Sequence, residues 1–272
     1  MFSDRWLRLL PVIAVFLMMP AVSCSVKEDR DRCPCFLTLD FSDISTADLL
    51  EKGFDSVDVL MAGADGFAVT ESWTLNDFVK EYCVPVPRSG VDIMAVCRTG
   101  GTCSVEEGLM VNEGEECPEL YMFSESFTPN SAEDRRQVVL HRNYCRLSVC
   151  LKTMFDVPAR PFRVMVVGNV NGYLLDGTPK EGAFRYFSAP SSVGLCTCLI
   201  PRQKDDSMQL AVHFLDSDEI RAFPVGEYIR ESGYDWNSAD LEDICVEMDF
   251  SRTGVTFSIS KWKKTLSFDI TF

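Results

Sequence analysis

The sequence has few of the residues on which catalysis and metal binding depend. Its 272 residues include only two histidines, His141 and His213. It lacks the motifs Gly-x-Ser-x-Gly, Gly-x-x-x-x-Gly-Lys, Gly-x-Gly-x-x-Gly and His-Glu-x-x-His. A serine nucleophile needs a histidine to accept its proton, and both histidines lie in apolar runs typical of β-strands. The sequence therefore predicts a protein that is not an enzyme and that holds no metal or cofactor.

Pairs of acidic residues are the remaining candidates for chemistry. Asp205 and Asp206 are adjacent, and Asp216 and Asp218 are close in sequence. Two carboxylates can serve a glycosidase or bind calcium. These pairs fall at predicted turns, however, where aspartate bonds to the local backbone. We interpret them as solvated turn residues. A hydrolase would require two inward carboxylates in a cleft.

Basic residues are also scarce, which limits the classes of partner. There are 26 Lys and Arg against 41 Asp and Glu, a formal net charge of −15. Nucleic-acid binding requires cations that neutralise phosphates, and anionic lipid attracts basic segments in the same way. The composition therefore argues against both partners. Hydrophobic residues make up 46% of the chain, enough for a packed core.

No apolar run is long enough to span a membrane. The run Leu9–Met19 is shorter than the about 20 residues that a transmembrane helix needs, and Pro11 interrupts it. It follows Arg5 and Arg8 and precedes small residues, which is the three-part pattern of a secretory signal peptide. We therefore assign residues 1–23 to a signal peptide.

The residues Ala21-Val22-Ser23-Cys24 resemble a bacterial lipobox, with Ala21 where the pattern prefers Leu. In this interpretation Cys24 carries palmitate among several acyl chains, which anchor stably because each buried CH₂ contributes about 0.8 kcal/mol. The alternative is ordinary cleavage, with Cys24 left as a plain thiol.

Residues 24–34 form a charged run that predicts a solvated tether. Acidic residues behind a lipidated cysteine resemble the signal that sends Bacteroidales lipoproteins to the cell surface of the outer membrane. The alternative for this run is a simple spacer.

Short runs with period-two alternation predict an all-β fold of antiparallel sandwich type. Val91–Arg98 is apolar on both faces, so we expect it to be covered on both sides. Ile44–Lys52 has helical spacing, and Glu106–Pro118 is interpreted as a long loop. The other strands predicted in the first half are Cys35–Phe41, Ser56–Ala62, Phe67–Trp73, Glu81–Pro87, Leu120–Phe123, Gln137–His141 and Tyr144–Leu151.

Thr153–Pro161 is the predicted boundary between two β-sandwich domains, residues 35–155 and 156–272. Beyond it, Asn171-Gly172 is a dipeptide that favours a tight hairpin turn. The strands predicted in the second half are Phe162–Val170, Tyr173–Asp176, Ala183–Phe187, Leu195–Ile200 and Met208–Leu215.

The C-terminus has the clearest pattern in the chain. Val255, Phe257 and Ile259 alternate with polar residues, and so does the set Leu266, Phe268, Ile270 and Phe272. Two such strands predict a hairpin with one apolar face. If the last strand lies at a sheet edge, it offers unpaired backbone groups to another chain. The alternative is a last strand already paired within its own sheet.

Cysteines are numerous, and their total of 12 leaves an odd number once Cys24 is set aside. Cys97 and Cys103 flank a predicted turn, so the spacing allows a disulfide, which an exported protein can keep. Most of the others, among them Cys145, Cys150 and Cys245, fall in apolar strand patterns and are interpreted as small buried hydrophobes.

Several segments carry a family resemblance. They are Lys27–Asp40, Gly168–Pro179, Ile200–Leu210, Phe223–Ile229, Gly233–Trp236 and Leu241–Phe250. Together they resemble the FimB-like fimbrial anchor and minor-subunit lipoproteins of Bacteroidales, over nearly the whole mature chain.

The resemblance implies two tandem transthyretin-like β-sandwich domains on a lipid anchor at Cys24. Members of the family hold a fimbrium, or pilus, at the outer membrane and can limit its length. Their partners are pilin-like subunits that assemble by strand exchange. The resemblance implies structural roles for five motif residues: Gly168, Gly172 and Gly226 in turns, and Tyr228 and Trp236 in the core.

A different class of function is a surface adhesin or tip subunit for cell adhesion, which binds glycan or host protein. Exposed aromatic side chains lining a groove would favour it, and their burial would argue against it. The candidate side chains are Trp73, Trp236 and Trp262.

Overall fold

The structure is a computed structural model that describes residues 34–104, 106–152, 161–191, 194–217, 219–249, 254–261 and 264–271. Side chains are described as far as residue 249, Asp65 excepted. The chain is an all-β sandwich protein, as predicted. The predicted signal peptide, Cys24 and all of the tether before Pro34 lie outside the described residues.

Nineteen strands, two short α-helices and one 3₁₀ turn (Ala64–Gly66) follow one another in the described residues. The strands before residue 155 are β1 (Cys35–Asp40), β2 (Ser56–Gly63), β3 (Ala68–Thr74), β4 (Glu81–Val86), β5 (Val91–Arg98), β6 (Thr102–Ser104), β7 (Gly108–Met110), β8 (Leu120–Phe127), β9 (Glu133–Gln137), β10 (His141–Arg142) and β11 (Tyr144–Lys152). The later strands are β12 (Phe162–Tyr173), β13 (Pro179–Ser188), β14 (Leu195–Pro201), β15 (Gln209–Phe214), β16 (Ile220–Phe223), β17 (Ile244–Asp249), β18 (Gly254–Lys261) and β19 (Lys264–Thr271). The helices are α1 (Thr46–Glu51) and α2 (Val225–Glu231).

Helix α1 confirms the helical spacing predicted in this segment. Ser45 is its N-cap, because the Ser45 hydroxyl accepts a hydrogen bond of 3.2 Å from the Asp48 amide and so satisfies one of the free N–H groups of the first turn. Leu49 is the buried residue of the helix, and it belongs to the same core as β1.

Two sheets enclose the N-terminal core. One has the strand order β4-β1-β9 and the other β10-β8-β5-β2-β3. Strand β1 pairs antiparallel with β4 and parallel with β9. Its side chains alternate between the core and the surface: Cys35, Leu37 and Leu39 are fully buried, whereas Phe36 is half exposed.

Strand β5 is covered on both faces, as predicted. Ile93 and Ala95 belong to the N-terminal core, whereas Met94 and Val96 belong to a second, larger core. The sheet that contains β5 is therefore a middle layer shared by the two cores, which explains why the strand has no polar face.

Two further sheets enclose the larger core. One has the order β14-β11-β17-β18-β19, and the other β16-β15-β12-β7-β6 with β13 also paired to β12. Two strands that precede residue 155, β7 and β11, pair with strands that follow residue 161, and β6 joins the same sheet through β7. The sheets of the described residues therefore do not divide at residue 155. The division into domains 35–155 and 156–272 stays a prediction.

The hairpin turn predicted at Asn171-Gly172 is wrong, because β12 runs through it to Tyr173. Glycine is needed there for close approach: a Cβ on Gly172 would lie 2.0 Å from the Leu109 carbonyl oxygen of β7. The chain turns later, at Gly177, whose φ of +85° is in the region that glycine adopts without strain.

Two other boundaries differ from the prediction. The predicted loop Glu106–Pro118 contains β7, a strand of only three residues, which is too short to show periodicity. The predicted strand Gln137–His141 is divided between β9 and β10. Residues 138–140 cross there from the sheet of β1 to the sheet of β8.

Candidate functional site

The edge strand β19 is the strongest candidate for a partner-binding site. It pairs with β18 in continuous register from Gly254↔Thr271 to Lys261↔Lys264. On its other side, no strand of the described residues pairs with it. Both predicted alternatives therefore hold in part: β19 is paired within its own sheet and also forms an edge of that sheet. Such an edge presents backbone groups for strand addition.

The register places the apolar stripe of the hairpin on one face of the sheet. Two rows cross the strands, Val246–Ile259–Leu266 and Met248–Phe257–Phe268. Residues directly opposite in antiparallel pairs share a face. Val246 and Met248 are fully buried, and the register places positions 257, 259, 266 and 268 in line with them. An added strand with alternating apolar residues would continue these rows.

The opposite edge of the same sheet, β14, is occupied. Its outward-facing backbone groups alternate at Leu195, Thr197 and Leu199. The Leu199 amide donates to Glu116 Oε1 at 2.7 Å, and the Leu199 carbonyl accepts from the Cys117 amide at 3.2 Å. The Thr197 carbonyl accepts from a serine hydroxyl at 2.8 Å. Leu195 is bonded through both its amide and its carbonyl.

Sequence reasoning missed Glu116 and Cys117, because both fall in the segment interpreted as a loop. The available signal was an apolar residue at each end of an acidic stretch. Val111 and Cys117 are both buried, as expected for a segment fixed at its two ends.

The predicted lipidation at Cys24 lies outside the described residues and stays a prediction. The helices of the described part have only six and seven residues. Neither is long or apolar enough to cross a bilayer.

The acidic pair Asp205 and Asp206 makes local bonds. Asp205 accepts hydrogen bonds of 2.9 Å from the Ser207 amide and from Asn169 Nδ2, and these bonds lower the pKa of its carboxyl. Asp206 pairs with Arg230 of α2. These contacts agree with the interpretation as turn residues. In the second pair, Asp218 lies outside the described residues.

Each of the two histidines has a polar neighbour. His141 Nδ1 is 3.3 Å from Asp240 Oδ2 at the surface. His213 Nδ1 accepts a hydrogen bond of 3.1 Å from Arg163 Nε. Within the described residues, no group of three or more His, Cys, Asp or Glu side chains has an arrangement that could hold a metal ion.

The ten described cysteines are free thiols. The disulfide that the spacing allowed between Cys97 and Cys103 is not formed. Burial raises the pKa of Cys97 to about 12 and that of Cys103 to about 11. Cys145 is fully buried, which raises its pKa to about 12. Thiols this hard to ionise are poor nucleophiles. Cys150 and Cys245 are partly buried.

Two of the three candidate aromatics for a glycan groove pack against the protein. Trp73 contacts Phe41 and Tyr82 edge-to-face, with ring centroids 6.2 and 5.0 Å apart. Trp236 contacts Tyr234 at 4.7 Å and packs on the larger core. This packing argues against an aromatic groove at these two positions. Trp262 lies outside the described residues.

The motif residues of the second half build the fold. Gly168 and Gly172 lie inside β12 and Gly226 lies in α2, so the turn roles implied for them are wrong. A Cβ on Gly226 would lie 2.3 Å from the Asp206 carbonyl oxygen, which shows that close approach is the requirement there too. Tyr228 and Trp236 pack against the larger core, as implied.

Arg202, directly after β14, ties several segments together. Its guanidinium donates to Asn143 Oδ1 at 3.1 and 2.9 Å and to the carbonyls of Trp236 and Ser238. Its amide donates to the Tyr173 hydroxyl at 2.8 Å, and that hydroxyl donates to the Asn143 carbonyl. The network fixes one end of β14.

Three solved structures share this fold. A protein of Bacteroides thetaiotaomicron proposed to bind polysaccharide has a TM-score of 0.58 and 10% identity, over 87% of this chain and 98% of its own. Mfa2, the fimbrial anchor protein of Porphyromonas gingivalis, has a TM-score of 0.55 and 12% identity, over 88% and 99%. A proposed adhesin of Bacteroides thetaiotaomicron has a TM-score of 0.54 and 15% identity, over 88% and 99%.

No protein-family model matches the sequence, and no curated protein matches it. Identities of 10% to 15% establish similarity of fold alone.

Proposed function

We propose that this chain is a structural lipoprotein that anchors a surface fimbrium at the outer membrane. Acyl chains on Cys24 hold it in the lipid, and β19 pairs with a strand of a pilin-like subunit. The observation that carries the proposal is the outer side of β19, which no strand of the described residues occupies. The fold shared with the fimbrial anchor Mfa2 supports it.

Strand pairing suits an anchor because it is both strong and directional. Each backbone hydrogen bond to the added strand contributes about 0.5–1.5 kcal/mol. Of the eight residues of β19, alternate ones turn their amide and carbonyl groups to the open side. The alternation of apolar and polar positions sets the register, since a slip by one residue would turn the apolar set to the wrong face. A sheet with one free edge accepts one strand, which fits a subunit that ends a polymer and limits its length.

The test is recovery of the tagged protein from gently solubilised outer membranes, followed by mass spectrometry. The proposal predicts a ladder of pilin-like subunits with the wild-type chain. With Cys24→Ser, which cannot be acylated, it predicts that the protein leaves the membrane fraction. Recovery of the wild-type chain alone from a piliated culture would contradict the anchor role.

The second candidate, an adhesin or tip subunit, would gain from that negative result. It requires a ligand surface, and the packing of Trp73 and Trp236 removes two of its three candidate aromatics. Binding of the purified chain to immobilised glycans, without any pilin-like subunit present, would then be the measurement to make.

A further inference from the structure

The outward face of one sheet carries basic and apolar side chains in an acidic protein. Its strands β13, β12, β15 and β16 pair side by side, and their inward residues, such as Val164 and Val212, are buried in the larger core. Since side chains alternate along a strand, the outward set includes Arg163 and Met165 of β12, Arg185 and Phe187 of β13, His213 of β15 and Ile220 of β16. We call this surface the arginine face. Along residues 163–167 of β12, no outward position on these strands is acidic, although the net charge of the chain is −15.

Arg163 and Arg185 differ from most arginines of the described residues, because neither forms an ion pair with a carboxylate there. Such pairs are formed by Arg135, Arg142, Arg146, Arg221 and Arg230, among others. Arg163 donates through Nε to His213 Nδ1 at 3.1 Å, and its guanidinium carbon lies 4.5 Å from the centroid of the Phe187 ring. Arg185 is exposed. Both guanidinium groups therefore remain available to carboxylates of a partner, which they bind in a bidentate manner.

Exposed apolar side chains accompany the two arginines. Phe187 is 43% exposed and Ile220 is 60% exposed. Arg185 is the register partner of Val167, four residues along β12 from Arg163, so the two arginines are about 13 Å apart along the strand direction. Arginine, methionine and aromatic residues are enriched where proteins bind one another, and a group of exposed apolar residues indicates an interaction site.

The residues of the arginine face favour an acidic protein surface over a polysaccharide. The guanidinium of Arg163 covers the Phe187 ring, on which a sugar ring would otherwise stack. Ile220 and Met165 offer apolar surface and no strong hydrogen-bonding group. A protein surface that carries both carboxylates and apolar side chains complements the charge and the apolar area together.

One end of the arginine face lies on the same side of the sandwich as the open edge β19. On the other side, β13 and β14 are neighbours, because the Ser188 hydroxyl donates to the Thr197 carbonyl at 2.8 Å. From these two strands, one sheet runs across to β16 and the other runs across to β19. Ile220 of β16 therefore lies toward the side on which β19 is open, within reach of the body of a subunit whose strand pairs with β19.

We infer that the arginine face is a second contact for the pilin-like subunit, which presents carboxylates to Arg163 and Arg185 and apolar side chains to Phe187 and Ile220. The inference rests on the proposed function, because it takes the partner of β19 as the occupant. Backbone pairing at β19 accepts many sequences, whereas two guanidinium–carboxylate pairs at a fixed spacing select a subunit by its charges. The arginine face therefore adds specificity to the strand pairing.

The first test compares the recovery of pilin-like subunits from piliated cells by tagged wild-type and variant chains. Arg163→Gln/Arg185→Gln removes both charges and should lower recovery at least threefold, as measured by quantitative mass spectrometry. Arg185→Gln alone should lower it by a smaller factor, and it breaks no ion pair within the described residues. Arg146→Gln is the matched control, because Arg146 belongs to the other sheet and pairs with Glu119; it should leave recovery unchanged.

A second test identifies the chemistry of the occupant. Arg185→Lys supplies an amine on the arginine face, and a carbodiimide condenses an amine with an adjacent carboxylate to form an amide, with loss of water. We expect the joined peptide, sequenced by mass spectrometry, to contain an aspartate or glutamate of the pilin-like subunit. Arg146→Lys is the control and should give no joined peptide of the subunit.

The outcomes separate this inference from the proposed function. If the wild-type chain recovers no subunit from piliated cells, the proposed function fails and the inference fails with it. If the wild type and Arg163→Gln/Arg185→Gln recover the subunit equally, only the role of the arginine face is overturned. The pilin-like subunit is also overturned as the occupant if Arg185→Lys joins to a second copy of this chain. The same holds if the double variant loses binding to an immobilised acidic polysaccharide while its recovery of the subunit is unchanged.

Discussion

The two edges of the five-stranded sheet differ in what occupies their outer backbone groups. At β14, Glu116 and Cys117 bond to Leu199, and two serines bond to Leu195 and to the Thr197 carbonyl. At β19, no strand of the described residues lies beyond the hairpin. Hydrogen bonds from several nearby residues can thus occupy one edge of a sheet without a strand being added.

The two edge strands differ in charge as well as in cover. β14 carries no charge and is covered, whereas β19 contains Lys264 and Asp269. Charged side chains limit unspecific pairing at an edge, so β19 can stay open without a cover. Between the two charges lies Thr265–Phe268, the stretch in which a specific partner strand would find period-two alternation.

The largest expected effect comes from blocking the open edge. Ser267→Lys places a cation on the polar face of β19 and should reduce recovery of pilin-like subunits at least tenfold, because the partner strand must pass directly beside it. Ser258→Lys is the matched control, since Ser258 is the register partner of Ser267 on the inner strand β18. Equal recovery with both variants, measured by quantitative mass spectrometry, would contradict the role of β19 as the edge that binds the pilin-like subunit.

Next in size is a change that loosens the covered edge. In Gly172→Ala the new Cβ would meet the Leu109 carbonyl oxygen at 2.0 Å, so β7 must move away from β12. Overpacking of this kind costs about 3 kcal/mol. Because β7 leads into segment 111–117, which bonds to Leu199, exchange at the Leu199 amide should also become faster.

Gly168→Ala on the same strand is the control for that variant. Its Cβ would meet the end of the Gln203 side chain at 2.8 Å, which can move, so the cost should be about 1 kcal/mol. Urea denaturation measures both values. Equal costs for the two variants would mean that the approach of β7 is not what requires glycine at position 172.

A smaller effect is expected from the network that fixes the end of β14. Tyr173→Phe removes the hydroxyl that bonds to the Asn143 carbonyl and to the Arg202 amide. Leaving buried groups unpaired should cost about 2 kcal/mol and lower Tm by about 4–8 °C. Tyr186→Phe is the control, because the described residues give the Tyr186 hydroxyl no hydrogen bond; calorimetry should show little change. A similar Tm in all three proteins would contradict the role of this network.

The smallest effect concerns the three-stranded sheet, in which ion pairs add to the backbone pairing of the outer strands β4 and β9 with β1. Arg135 of β9 bonds to Asp40 of β1 and to Glu81 of β4 at 2.6 Å each. The Arg135 guanidinium, with help from Ser42, lowers the pKa of Asp40 from 3.8 to about 2. A lowered folded pKa means that the stabilising contribution is present above about pH 4 and is lost as pH falls toward 2.

Asp40→Asn tests this contribution. The variant should be less stable than the wild type at pH 6, and the difference should shrink between pH 4 and pH 2 as the wild-type carboxylate is protonated. Urea denaturation at several pH values gives the two curves. Parallel curves over that range would show that the Asp40 carboxylate contributes nothing to folding.

The fold was predictable where pattern and burial coincide over several residues. Cys35, Leu37 and Leu39 alternate in sequence and are buried in the structure, and the apolar residues on both faces of β5 correctly indicated a middle layer. The C-terminal hairpin was predictable for the same reason, because its two alternating runs fall into one register.

Other features depend on tertiary approach and leave no local signal. Gly172 follows Asn171 in a pattern typical of a turn. The glycine is needed, however, because β7, from a distant part of the sequence, approaches β12 too closely for a Cβ at this position. The hydrogen bond between the Glu116 side chain and the Leu199 amide joins residues 83 positions apart. The charged residues of β19 and its place at the end of the hairpin could be predicted from the sequence. The sheet order was needed to show that β14 is covered and that β19 is open.

The most direct test of β19 as the partner-binding edge is site-specific photo-crosslinking in piliated cells. The crosslinking residue is placed at Ser267 on β19 or at Thr197 on β14. We expect Ser267 to crosslink to a pilin-like subunit and Thr197 not to do so, because intramolecular hydrogen bonds occupy the outer edge of β14 at Leu195, at the Thr197 carbonyl and at Leu199. Crosslinks to the subunit from Thr197, with none from Ser267, would contradict the assignment of the open and covered edges.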